Sequence, residues 1–173
     1  MHLLRRFLRS LWWGPPRADD LVWVESVLAP GERVLFDRLP RRDQRHLAGT
    51  GRRLQRALAG TEHADDPRWL AAALLHDVGK HDARLGVYGR IVATVCGHFG
   101  GRDMPYAWSS KRGFTRRVGL YLRHGELGAD MIRLAGGHDE AARWSAAHHF
   151  PDEWATTGIP GVVVEALVEA DHE

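Results

Sequence analysis

The sequence predicts an all-α fold, and three observations predict it. No segment keeps the two-residue alternation of a half-buried strand. Apolar residues recur instead at helical spacing, in runs that open on Asp or Pro and stop at Gly or Pro. No internal repeat or low-complexity stretch interrupts that pattern.

The elements follow in order. In residues 1–16, MHLLRRFLRSLWWGPP, the side chains Leu3, Leu4, Phe7, Leu8, Leu11 and Trp12 fill one half of a helix at about 100° per residue, and Arg5, Arg6 and Arg9 fill the other. Gly14, Pro15 and Pro16 break it and form a hinge. Asp19 or Asp20 caps the next helix, which runs to Leu28 and is broken by Pro30 and Gly31. A short helix reaches about Arg38, and Pro40 opens another to about Ala59. Asp66 caps and Pro67 starts a helix to Val78, with Gly79 as its terminating glycine. Residues 85–99 read as helix in spite of three glycines, and the polar, aromatic stretch 100–112 reads as a loop. Helices near 114–123, 126–135, 139–149 and 160–171 complete the chain. Residues 17–173 are thus expected to form one helical domain, for which the length is suitable.

Composition excludes several classes. Hydrophobic residues at 44% and charged residues at 27% supply a core, which excludes a disordered chain. The single cysteine, Cys96, excludes a disulfide framework and a Cys-based zinc finger, and fits a reducing compartment such as the cytoplasm. No apolar run approaches the roughly 18–20 residues of a membrane span, and the arginines at 5, 6 and 9 interrupt any secretion signal. Residues 1–60 carry 12 Arg against 6 acids, whereas residues 61–173 carry 12 Lys or Arg against 16 acids. With only Lys80 and Lys111 as lysines, the arginine excess reads as genome composition, and no specific nucleic-acid partner is expected. The basic amphipathic segment 3–12 has two placements: peripheral on the inner face of a membrane, or docked on the domain or on a second subunit.

Eleven histidines give the first chemical clue. An apolar, alanine-rich helix ends in Leu74-Leu75-His76-Asp77-Val78-Gly79-Lys80, presenting an imidazole and a carboxylate in its last turn. Adjacent His and Asp offer a nitrogen and an oxygen ligand of different reach, and a carboxylate with two oxygens can bridge two cations. His46 lies on the preceding helix, His124 at the start of a later one, His148 and His149 at the end of another, and Asp171 on the last.

From Gln44 to Asp171 this pattern resembles the HD-domain superfamily of metal-dependent phosphohydrolases, and HDVGK at 76–80 is its most specific piece. The resemblance implies an HD-type helical bundle in which His46, His76, Asp77 and Asp171 hold one metal. The segment YLRHGELGADMI, with His124, and the pair His148-His149 resemble the binuclear branch that includes the HD-GYP proteins, which implies that Asp77 bridges to a second metal completed by those three histidines. Two departures stand out. Arg42 occupies the position where HD-GYP proteins carry a Glu for a third metal, and FPDEWATTGIPG replaces the GYP signature.

The same residues carry the chemistry on their own terms. Imidazole and carboxylate ligands without thiolate favour first-row ions, divalent or mixed-valent: iron or manganese first, zinc or magnesium as alternatives. Two such ions can polarise a phosphoryl oxygen and bring the pKa of a water near neutral, so the expected reaction is hydrolysis of a nucleotide or another small phosphate ester. Asp77 and Lys80 are the expected catalytic pair, Lys80 clamping the phosphate, with His81 and Arg123 as further substrate contacts. Two alternatives remain open: an HD-fold diiron oxygenase, and a regulatory or binding module with little turnover. His2, His63, His98, His138 and His172 read as surface or loop residues, Cys96 as packing, and Trp108 as core or as a cover over a ligand.

Deleting residues 1–14 separates the two placements of the amphipathic segment. If lipid is its partner, vesicle binding is lost while metal content stays; if the domain is its partner, the melting temperature falls and the intact chain binds no vesicles.

Overall fold

The computed structural model describes residues 14–172, so the amphipathic helix expected over residues 3–12 lies outside the described residues. Among the described residues there are eleven α-helices, one 3-10 helix and no strand. The fold class is all-α. No described helix is long and apolar enough to cross a membrane.

Residues 14–17 lead without regular structure into α1 (Ala18–Val27). Its N-cap is Arg17 rather than Asp19 or Asp20; the two acids sit in the first turn, where they complement the helix dipole. Helix α1 stops before Pro30, as expected, and Pro30 itself opens α2 (Pro30–Asp37), since a ring without an N–H is tolerated in a first turn. Next come α3 (Arg41–Ala57) and α4 (Pro67–Leu75), the latter capped as expected by Asp66, whose carboxylate accepts from the Arg68 amide at 2.9 Å. Helix α4 stops three residues before Val78, and residues 76–79 form a turn into the single-turn α5 (Lys80–Ala83). Then follow α6 (Val87–Phe99), α7 (Met104–Ser109), α8 (Gly113–Leu122), α9 (His124–Leu134), α10 (Asp139–Ala147), a 3-10 turn (Pro151–Thr157) and α11 (Gly161–His172). Helix α7 lies inside the stretch expected to be a loop; Pro105 at its start is a helix-initiating residue that the surrounding Gly and Ser residues mask in the sequence.

Helix α4 is the centre of the main core. Every residue from 69 to 75 is buried, because α1, α2, α3, α10 and α11 pack around it. Trp69, Leu70, Leu74 and Leu75 each contribute about 1.5–3 kcal/mol through that burial, which fixes the axis and the end of the helix. A smaller core of Ala83, Leu85, Ala93 and Val118 joins α5, α6 and α8, and both Cys96 and Trp108 pack against it. Trp108 is therefore a packing residue of this second core.

A buried carboxylate ties α2 to the start of α10. Glu32 is fully buried and accepts from the Ala29 amide at 3.0 Å, the His138 amide at 2.8 Å and, on the same oxygen, His138 Nδ1 at 2.8 Å. His138 is thus a structural partner rather than a solvated loop residue.

Gly79 is needed for a reason other than helix termination. Its φ is −63°, an ordinary helical value, so no left-handed turn is involved. A Cβ at this position would lie 2.0 Å from the His124 carbonyl oxygen and 2.7 Å from the Gly128 amide, so the residue is glycine to let α9 cross against the turn after α4. Replacing Gly79 by Ala should cost about 1–3 kcal/mol by overpacking, read as a lower urea midpoint with an unchanged slope.

Candidate metal centre

Three helix C-termini meet at the junction of the two cores. His76 caps α4, His124 follows α8 by two residues, and His148 caps α10. In each case the ring Nδ1 bonds the carbonyl three residues back: Ala73 at 3.0 Å, Tyr121 at 2.6 Å and Ser145 at 2.7 Å. Those carbonyls belong to final helical turns, where backbone oxygens lack intrahelical partners. A carbonyl can only accept, so Nδ1 carries the proton and Nε2 is the nitrogen turned toward the other ligands.

The inward atoms form two groups around one carboxylate. His46 Nε2 and His76 Nε2 lie 3.2 and 3.4 Å from Asp171 Oδ1. On the other side His124, His148 and His149 gather, with the Nε2 atoms of His124 and His149 3.2 Å apart. Asp77 stands between: Oδ1 is 3.2 Å from His124 Nε2 and 3.8 Å from His148 Nε2, and Oδ2 is 3.8 Å from His76 Nε2 and closed on by Lys80 Nζ. All seven residues expected as ligands are brought into one cluster, with Lys80 against it. The side chains of His76, His124, His148 and Asp77 are buried at its floor, whereas His46 and His149 stand exposed at opposite rims.

Electrostatics follow from this crowding. Burial alone would raise the Asp77 carboxyl, but the Lys80 ammonium, and after it His76, outweighs burial and holds Asp77 ionised well below the ordinary carboxylate range. Burial likewise opposes the ionised form of Asp171, which its bonds to His46 and His76 nevertheless hold down. Burial and then Lys80 push His124 below the usual imidazole range, and burial with the imidazoles of His76 and His149 pushes His148 further. His76 goes the other way, because Asp77 and Asp171 outweigh the cost of burial.

Two buried atoms at the floor make no hydrogen bond at all: Asp77 Oδ1 and His148 Nε2. They face each other and His124 Nε2, and all three are lone-pair donors when the imidazoles are neutral. Acceptors that face acceptors in a buried site cost free energy unless a cation lies among them. The residues therefore fit a metal site: His46, His76 and Asp171 on one side, His124, His148 and His149 on the other, and Asp77 with an oxygen toward each.

Other expected contacts are distributed around this cluster. His81 is half-buried and lines a cleft with Lys80. The Arg123 guanidinium is held by Glu126 at 3.2 Å and Ser109 Oγ at 3.1 Å and stacks over the Tyr106 ring. His63 packs edge-on against Trp69, and His172 is exposed beside Asp171.

Two positioning residues escaped the sequence reading. Ser145 is fully buried, its hydroxyl 3.0 Å from both the His76 and Gly125 carbonyls, while its own carbonyl orients His148. Tyr121 orients His124 through its carbonyl and places its ring 5.7 Å from Lys80 Nζ. The signal in the sequence is only their place three residues before a histidine.

Comparison of the chain with family models, with curated proteins and with solved structures gives no match. Replacing Ser145 by Ala should destabilise the fold by about 1–3 kcal/mol, since two buried carbonyls lose their shared donor, and thermal unfolding should show it as a lowered midpoint.

Proposed function

We propose that this chain is a metal-dependent phosphohydrolase of the HD superfamily, cleaving a nucleotide or another small phosphate ester. The observation that carries the reading is the pair of ligand groups sharing Asp77, with Asp77 Oδ1 and His148 Nε2 buried and without a hydrogen-bonding partner. The order of ligands along the chain supports it as well: His, His-Asp, His, His-His and Asp fall on successive helical segments, as the resemblance to that superfamily requires.

A bound pair of first-row ions would supply Lewis acidity toward a phosphoryl oxygen and a water ionised near neutral pH. The chain's own residues do the rest. Asp77 stays ionised across the physiological range and offers one oxygen to each side. The Nδ1 bonds of His76, His124 and His148 fix the three ring planes, and in His124 and His148, whose pKa values are lowered, they leave the Nε2 lone pair oriented before anything binds. The Lys80 ammonium, fixed on Asp77 Oδ2, lies where it can offset negative charge that builds on a phosphoryl oxygen. The exposed rims at His46 and His149 leave the cluster open to a substrate. The three-imidazole composition of the second group weighs against the oxygenase alternative, which needs only one histidine from the 148–149 pair.

Metal analysis of chain purified without chelator, paired with a panel of phosphate esters, tests this. About two first-row ions per chain are expected, and Asp77→Ala and Asp77→Asn should each lose both ions and all hydrolysis while remaining folded by circular dichroism. A folded Asp77→Asn protein that keeps one ion would reduce the site to a mononuclear one; metal-loaded wild type inactive on every ester would overturn the hydrolase reading.

A further inference from the structure

Beside the metal-ligand cluster, on the far side of Lys80, lies a cleft of about 370 Å³ lined by Arg42, Lys80, His81, Arg84 and Arg90, with no acidic residue in its wall. Asp82, between His81 and Arg84 in the chain, is exposed and makes no hydrogen bond or ion pair among the described residues, whereas Asp43 and Asp77 are already engaged. Asp43 receives a two-pronged bond from Arg90 at 2.9 and 2.7 Å and lies 3.4 Å from Arg42, and Asp77 is held by Lys80. Of the four permanent cations lining the cleft, Arg42, Arg90 and Lys80 are paired with Asp43 or Asp77, and neither Arg84 nor His81 has a side-chain hydrogen bond or ion pair among the described residues.

Arg84 also has the only positive φ of any non-glycine residue described, at 47° with ψ 35°. An L side chain in the left-handed region is strained where glycine is not, so the backbone at the end of α5 would be better served by glycine. Strain that persists at the mouth of a cleft with unpaired positive charge points to use of the side chain. Arg90 is fixed by Asp43 and by the Leu85 carbonyl at 3.3 Å, so the back of the cleft is rigid and Arg84 is its adjustable arm.

We propose that this cleft is a second anion subsite, which takes a phosphoryl group adjoining the one held at the metal-ligand cluster, so that the preferred substrate carries two or more linked phosphates. Lys80 is the wall common to both places. The volume is near the lower end of the roughly 300–1,000 Å³ of small-molecule sites and suits a phosphate with its immediate neighbours rather than a whole nucleotide. The inference rests on the phosphohydrolase reading for the role of the first site, but the cleft's own binding can be measured without turnover.

Calorimetric titration of the metal-loaded full chain with pyrophosphate and with orthophosphate, with protein-bound metal measured before and after, tests it. Wild type should bind pyrophosphate at least about tenfold more tightly than orthophosphate. Arg84→Gly should lose that preference with a melting temperature equal to or above wild type, since the strain is relieved, and Arg84→Lys should keep part of it. Equal binding of the two anions by wild type, or a preference that survives in Arg84→Gly, overturns the subsite. A pyrophosphate preference without hydrolysis of any ester leaves the subsite standing and removes the hydrolase reading; hydrolysis without the preference does the reverse.

Discussion

The arrangement depends on one buried negative charge. Taking the Asp77 carboxylate out of water costs several kcal/mol, and only partners of opposite charge or good donors can offset that cost. Lys80 answers one oxygen. The other, Oδ1, has imidazole nitrogens around it that the helix-end carbonyls have already turned into acceptors. Half of the compensation for Asp77 is therefore built in, and on the proposed function a cation would supply the other half. A cation bound there would stabilise the helices that end at the site, coupling its occupancy to their stability.

Those helices can end there because the scaffold is rigid at one place. Helix α4 is surrounded on all sides, so the position of His76 and Asp77 is set by the packing of Leu74 and Leu75 rather than by the turn that follows. The glycine crossing at Gly79 and Gly128 then brings α9 within backbone contact of that turn. Ser145 closes the third side by linking the carbonyls of His76 and Gly125. Three elements distant in sequence are registered by small residues at their crossings, and the ligand distances follow from that registration.

How much of this was legible in the sequence depended on the range of the signal. The helical class, the Asp66 cap and the HDVGK segment are local patterns, and local periodicity and capping chemistry read them directly. Ligands at 46, 124, 148–149 and 171 could be nominated by residue type, but their convergence is a tertiary fact. What stayed illegible is of the same kind. Glu32 and His138 look like surface residues until their helices pack, Ser145 looks like an ordinary helical serine, and Gly79 looks like a stop signal although its role is close approach. The cleft escaped because its arginines come from three different segments, in a chain so rich in arginine that none of them stands out.

The two halves of the site are also opposite in sign, and this orders their use. The metal-ligand cluster holds two carboxylates, and helix C-termini with their partial negative charge point at it. An anionic ester approaching that cluster alone is repelled. The cleft behind Lys80 is attractive to the same ester, because its cations exceed its carboxylates. On the proposed function, with Lys80 as the shared wall, an anion could settle in the cleft irrespective of the cluster, whereas a second phosphoryl group would enter the cluster more readily once a cation had offset Asp77 and Asp171. Cation binding would then favour productive substrate binding, and the ionised carboxylates that attract the cation would disfavour phosphate at a site not yet able to react.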